Sequence, residues 1–133
     1  DTPNVFTFSV HSAKNFPGHK AAGDLDIGLD DAIEDAEYLR ALEVSLKRVL
    51  ECSDPDMIFY QAGVDTLGSD KWGRFKLSLD GLLTRDEVVL KSARKLKVPI
   101  VLTLGGGYSV PITQTIKAHC NTYRVAMGLY STT

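Results

Sequence analysis

The sequence has little of what the commonest functional signatures require. Its two cysteines, Cys52 and Cys120, stand alone, with neither CxxC nor Cys/His metal spacing, so neither a disulfide framework nor a thiolate zinc site is expected. The three histidines, His11, His19 and His119, form no HExxH-like pair. No apolar run approaches the roughly 18 residues of a membrane span, and no basic segment with an apolar stretch opens the chain. The net charge of -2 argues against direct nucleic-acid or anionic-membrane binding, which concentrates Lys and Arg on one face. A reduced compartment follows from lone thiols, with cytoplasm the default and the nucleus the alternative in a eukaryote. The chain opens at Asp1 without an initiator Met, which raises the expectation that a segment precedes it.

What is present is ordinary globular material. Hydrophobic residues make up 44% and charged residues 24%, too apolar for a disordered chain. A chain of 133 residues forms one domain and buries roughly 65 to 70% of its unfolded surface. The acidic stretch Asp24, Asp26, Asp30, Asp31, Glu34, Asp35 and Glu37 and the basic cluster Lys91, Arg94, Lys95 and Lys97 read as a solvated loop and a solvated helix face.

Along the chain, strand and helix signals alternate. Val5–Val10 alternates apolar and polar residues and predicts a strand that His11 ends, followed by a Gly- and Asp-rich loop holding a short strand at Leu25–Leu29. Asp35 reads as the N-cap of a helix with Leu39, Leu42, Leu46, Val49 and Leu50 inward, stopped by Ser53-Asp54-Pro55. Met57–Ala62 is a near-continuous apolar run, as expected of a strand buried on both faces. Thr84 and Glu87 make a capping box for a second helix with Val88, Val89, Ala93 and Leu96 inward. Ile100–Leu104 is the next strand, and Pro111 opens a last helix with Ile112, Ile116, Tyr123 and Met127 inward. His119 falls on that stripe and reads as a hydrogen-bonded core residue. The pattern predicts a three-layer α/β/α fold with a mainly parallel sheet, whose strand ends hold the ligands.

Three segments lie at those ends. Asp65 follows Gly63-Val64 after a buried strand, a place where a cation ligand can stand but where a carboxylate is more often an N-cap or turn former. Gly105-Gly106-Gly107-Tyr108 spends three glycines at a strand exit, where a ligand approaches closely or a tight turn is made, and a phenol there can donate to a carbonyl oxygen gaining charge. Phe16-Pro17-Gly18 offers an aromatic in a stiff loop, suited to a tunnel wall or to folding back on the core.

Phe8-Ser9-Val10-His11, Phe16-Pro17-Gly18, Gln61-Ala62-Gly63-Val64-Asp65, Gly68 to Gly73 and Leu104 to Ser109, in this order and spacing, resemble the histone deacetylase superfamily, in wording nearest its bacterial and class IV-like branch. The resemblance covers nearly the whole chain. It implies the C-terminal half of an arginase/deacetylase-type α/β/α fold, whose zinc activates a water to attack an acetyl-amide carbonyl. It also implies that Asp65 is a zinc ligand and that Tyr108 polarises the substrate carbonyl. Phe16, Trp72, Gly106 and Gly107 would line the substrate tunnel. Ser9 and Val10 would bind a monovalent cation, potassium being the candidate. The family's Asp-x-His pair and tandem His bases occur nowhere in residues 1–133.

One carboxylate does not hold a catalytic zinc, which takes three protein ligands and a water. The expectation is therefore a single partial deacetylase domain over 1–133, inactive alone and without its zinc. Its parent would act on acetylated lysine or a small acetylated amine, and its partners would be a missing N-terminal half or a second copy. The resemblance also places a strand between the first strand here and the one ending at Asp65. The alternative is a non-catalytic oligomerising or binding module that keeps the fold remnant. A phosphate- or nucleotide-binding domain is weaker, since no Lys-Ser/Thr follows the glycines and no GxGxxG is present.

Overall fold

A computed structural model describes residues 4–131 of the chain. Strands and helices alternate as β1 (Phe8–Ser12), β2 (Leu25–Leu29), α1 (Asp35–Ser53), β3 (Ile58–Gln61), α2 (Leu79–Leu96), β4 (Ile100–Thr103) and α3 (Thr113–Tyr130). The strands form two parallel pairs, β1 with β2 and β3 with β4, with registers running from Phe8↔Leu25 to Ser12↔Leu29 and from Ile58↔Ile100 to Gln61↔Thr103. Parallel strands require crossovers: the loop of residues 13–24 carries the chain from β1 to β2, and α2 with its loops carries it from β3 to β4. The first strand is displaced from the expected Val5–Val10: His11 lies inside it, because pairing with β2 continues to Ser12.

The core forms where α1 and α2 meet one face of the strands. Tyr38, Leu42 and Leu46 of α1 and Val89 of α2 pack with Ile33, Phe75 and Leu77, and the alternate strand residues Phe8, Val10, Tyr60 and Ile100 lie against them. Tyr38 and Phe75 meet edge to face with ring centroids 5.6 Å apart. On the opposite face of β3 and β4 the described residues leave apolar side chains uncovered: Phe59 is 73% exposed, and Val101 is exposed beside it. β3 is thus half-buried on the face of Ile58 and Tyr60 and exposed on the face of Phe59 and Gln61, and not buried on both.

The helix ends differ from the sequence expectation in an instructive way. α1 is preceded by Glu34, which makes no side-chain cap, while the Asp35 carboxylate accepts from the backbone N–H and hydroxyl of Ser78 at 2.8 and 2.6 Å. α2 starts at Leu79, five residues before Thr84, and Ser78 is its N-cap, accepting from the Gly81 N–H at 2.9 Å. Asp35 therefore joins the start of α1 to the start of α2. Leu96, expected inward, is exposed at the last turn.

α3 corrects the expectation most. Ile112, Ile116, Tyr123 and Met127 are exposed, and the buried face is Thr115, Ala118 and Thr122, which packs on α2. Small residues allow the two helices to approach closely, and the apolar stripe is left facing outward. His119 is half-buried with its Nδ1 atom unpaired, so it is not the hydrogen-bonded core residue expected.

Candidate functional site

β3 and β4 deliver their C-terminal loops side by side. Register carries the pairing past both strands: Ala62 N–H donates to Thr103 and Val64 N–H to Gly105. Asp65 and the glycine turn therefore leave the sheet as neighbours. Gly106 and Gly107 have φ of 65° and 108°, a region that favours glycine. A Cβ on Gly106 would stand 2.9 Å from the Asp65 Cβ, and one on Gly107 would stand 2.3 Å from the Thr115 Cγ2. Gly73, further along the loop that begins at Asp65, folds back on it so closely that a Cβ would fall 1.6 Å from the Asp65 carbonyl oxygen. Three glycines thus let the turns close on Asp65 and its neighbour Val64.

Beneath this junction lies a buried charge network that the sequence reading passed over. Asp86 is 1% exposed and accepts from Tyr60 Oη at 2.6 Å, Thr122 Oγ1 at 2.6 Å and Arg85 Nη2 at 2.8 Å. Arg85, also buried, turns Nη1 to the Gly63 carbonyl oxygen and stacks its guanidinium 5.8 Å from the Tyr60 ring centroid. Burial pushes the Tyr60 phenol well above its ordinary value. Burial works against the Arg85 charge, yet the facing Tyr60 and Asp86 hold it above its ordinary value, so the guanidinium stays charged. A signal existed: positions 85 and 86 fall on the same helical face as Leu82, Val89 and Leu90, where charges are kept only when paired.

Around the front, the acidic stretch is structural and not merely solvated. Asp24 accepts from the Thr7 N–H and hydroxyl, both at 2.8 Å. Asp26 accepts from Ser9 Oγ and the Gly23 N–H, and Asp31 from Ser12 Oγ and Arg74. Hydrogen bonds hold all three carboxyls below the ordinary value: chiefly the Thr7 backbone for Asp24, Ser9 for Asp26 and Ser12 for Asp31. Ser9, read as a cation ligand, here shares its hydroxyl between Asp26 and His11 Nδ1. Lys20 Nζ gathers the carbonyls of Ala13, Asn15 and Pro17 and shapes the loop presenting Phe16. Asn15 ties that loop to the Trp72 carbonyl at 3.1 Å. Phe16 is 90% exposed, so it does not fold back on the core.

A cleft of about 1900 Å³ separates the two strand pairs. Ser9, Val10, Phe16, Asp65 and Gly106 lie on its wall. Trp72, Gly107 and Tyr108 do not; the turn at Gly106 and Gly107 carries Tyr108 past the rim, 62% exposed. Its sides include all of β1 and all of β3 but no residue of β2 or β4, and Leu42, Leu46 and Val49 of α1 reach into it. Among the described residues no three His, Cys, Asp or Glu side chains converge, so these residues do not by themselves make a zinc site. No helix among them is long and apolar enough to cross a membrane.

Comparison with known proteins fits this arrangement. The histone deacetylase domain family matches residues 1–123. An uncharacterized protein of Picosynechococcus is 38% identical over 98% of this chain and 43% of its own length. Histone deacetylase 8 of Xenopus laevis is 30% identical over 95% of this chain and 40% of its length. An acetylpolyamine aminohydrolase of Burkholderia pseudomallei superposes on 96% of this chain and 39% of its own with a TM-score of 0.76 at 18% identity, which shows the shared fold. The chain spans about two fifths of the length of these relatives. On the match over residues 1–123, the chain belongs to the histone deacetylase domain family.

Proposed function

We propose that residues 1–133 are one partial domain, the C-terminal half of a zinc-dependent hydrolase that removes the acetyl group from acetylated lysine or a small acetylated amine. In this reading Asp65 supplies one ligand to a zinc whose other ligands lie outside the chain, and the chain alone is inactive. Tyr108 donates a hydrogen bond from its phenol to the substrate carbonyl oxygen, a group that stabilises charge developing there. Phe16 and Trp72 flank the entrance, with Gly106 and Gly107 giving the substrate close approach to the backbone. Ser9 and Val10 hold a monovalent cation at the edge of the same cleft. A cytoplasmic location goes with this reading.

The observation that carries the reading is the closure of the glycine turn on Asp65, which puts the carboxylate and the segment bearing Tyr108 in one assembly. Lysine and small-amine substrates both have support, from histone deacetylase relatives and from an acetylpolyamine aminohydrolase of the same fold. The cleft supports a role for the rest of the protein: β1 and β3 face it with edges that no described strand pairs, and such edges recruit another strand.

The test is an acetyl-lysine peptide assay with added zinc. The chain alone should show no turnover, and turnover that Tyr108→Phe leaves undiminished would remove the assigned roles. In a longer protein containing this segment, Asp65→Ala should lower zinc content; unchanged metal occupancy contradicts the ligand assignment.

A second reading, a non-catalytic module that pairs with another copy, is favoured by the outward apolar stripe of α3 and by the same open edges. Solution mass separates the two. A homogeneous metal-free dimer of the chain favours the module, and a monomer favours the partial enzyme.

A further inference from the structure

Asp70 is buried and belongs to neither turn's tip, yet its carboxylate divides its two oxygens between the two loops of the site. Oδ1 accepts from the Trp72 and Gly73 N–H groups, each at 2.8 Å, within the loop that begins at Asp65. Oδ2 accepts from the Tyr108 N–H at 2.5 Å, across to the loop that leaves β4. Backbone bonds run beside it, from Lys71 N–H to the Tyr108 carbonyl and from Val110 N–H to the Ser69 carbonyl, and Asp70 and Ser109 form an isolated antiparallel bridge. The carboxylate is the only side chain among the described hydrogen bonds that accepts from both loops. It satisfies the Tyr108 N–H, which follows three glycines with no side chains to restrain it.

From this geometry we infer that Asp70 is the positioning residue of the site, locking the backbone of Tyr108 against the loop of Asp65 so that the phenol is presented at a fixed place. The inference rests on the proposed role of Tyr108 for its chemical consequence, though not for the lock itself. A carboxylate is required because it offers acceptor oxygens on both sides. An amide has one oxygen, and its NH₂ would oppose one of the N–H groups. The short Asp70-to-Gly73 spacing also fits an Asx-type turn, in which a carboxylate caps the N–H groups just ahead of it.

The experiment compares the chain with its Asp70→Asn variant by amide hydrogen exchange. Exchange at Tyr108, or at Trp72 and Gly73 if the amide flips, should quicken roughly 10- to 100-fold while Val89 and Leu90 in α2 keep their protection. Unchanged exchange at all three loop amides overturns the lock. Should the variant not fold, the unmutated chain still decides: a through-hydrogen-bond scalar coupling between the Tyr108 amide nitrogen and the Asp70 carboxylate carbon supports it, and its absence overturns it.

In a longer protein with deacetylase activity, Asp70→Asn should lower kcat by roughly tenfold with KM little changed, and should add nothing to Tyr108→Phe. A full additional loss in the double variant shows that Asp70 does not act through the phenol. If that protein has no such activity the proposed function fails, and the amide result alone decides the lock.

Discussion

Replacing Asp86 with Ala tests whether the buried network under the site holds β3, α2 and α3 together. The carboxylate is 1% exposed, pairs with a buried Arg85 at 2.8 Å and accepts from the Tyr60 and Thr122 hydroxyls at 2.6 Å. Its removal leaves a guanidinium in a low-dielectric interior with the Gly63 carbonyl, the Thr66 hydroxyl at 3.5 Å and the Tyr60 ring but no counter-charge paired to it. Breaking one side of a buried ion pair costs about 3 to 5 kcal/mol, and the Tyr60 hydroxyl left without its acceptor adds about 1 kcal/mol, whereas Thr122 keeps the Ala118 carbonyl at 3.3 Å. The sum, about 4 to 6 kcal/mol, rivals the whole stability of a small domain.

Urea unfolding followed by circular dichroism should show Asp86→Ala unfolded or nearly so without denaturant. Thr122→Val, which removes one of the two hydroxyl donors, should cost about 1 kcal/mol. The double replacement Arg85→Met with Asp86→Leu should recover much of the loss, because it removes both charges together. An Asp86→Ala chain within about 1 kcal/mol of the parent would refute the reasoning, for it would mean that the pair contributes no more than an exposed one.

The other predictions concern the loops and caps. Ser78→Ala should cost about 1 to 2 kcal/mol in the same urea assay, since it loses the Gly81 cap and the hydroxyl bond to Asp35; no change would deny the cap. Gly73→Ala should shift the amide resonances of Asp65 and Thr66 in heteronuclear spectra, because a Cβ overlaps the Asp65 carbonyl; an unperturbed spectrum would contradict that packing. Asp24, Asp26 and Asp31 have carboxyls lowered below 3.8 on folding, so their contribution is complete above 3.8 and disappears as pH falls through their lowered values. Titration of the Thr7 and Gly23 amide shifts should give midpoints below 3.8. Ser9→Ala should raise the Asp26 midpoint, and one already at 3.8 in the parent would contradict the bonds.

Local chemistry explains which elements could be read from residue order. The α1 stripe of Leu42, Leu46 and Val49 repeats at helical spacing, and Ser53-Asp54-Pro55 stops it where the helix ends, with Asp54 left-handed. β2 and the β4 run are bounded by Gly, Asp and Pro, which punctuate structure through the backbone itself. The motif at Asp65 and the triple glycine were legible for the same reason: turns at strand ends need those residues whatever surrounds them.

Partner choice across space was not legible. Asp35 reads as a cap for its own helix and instead holds Ser78, because a carboxylate takes whichever N–H the packing brings near. The apolar stripe of α3 promised a core face, yet Thr115, Ala118 and Thr122 went inward, since Thr122 finds a buried acceptor in Asp86 and small side chains let α3 approach α2. The sequence by itself determined the elements, the turns and the chemical groups at the strand ends, all set by interactions within a few residues. Only the tertiary structure decided that Asp70 spans two loops, that Arg85 and Asp86 lie buried behind the site and that β1 and β3 face a cleft. Each depends on residues dozens of positions apart meeting in one place, where burial makes an unpaired charge or N–H too costly to leave.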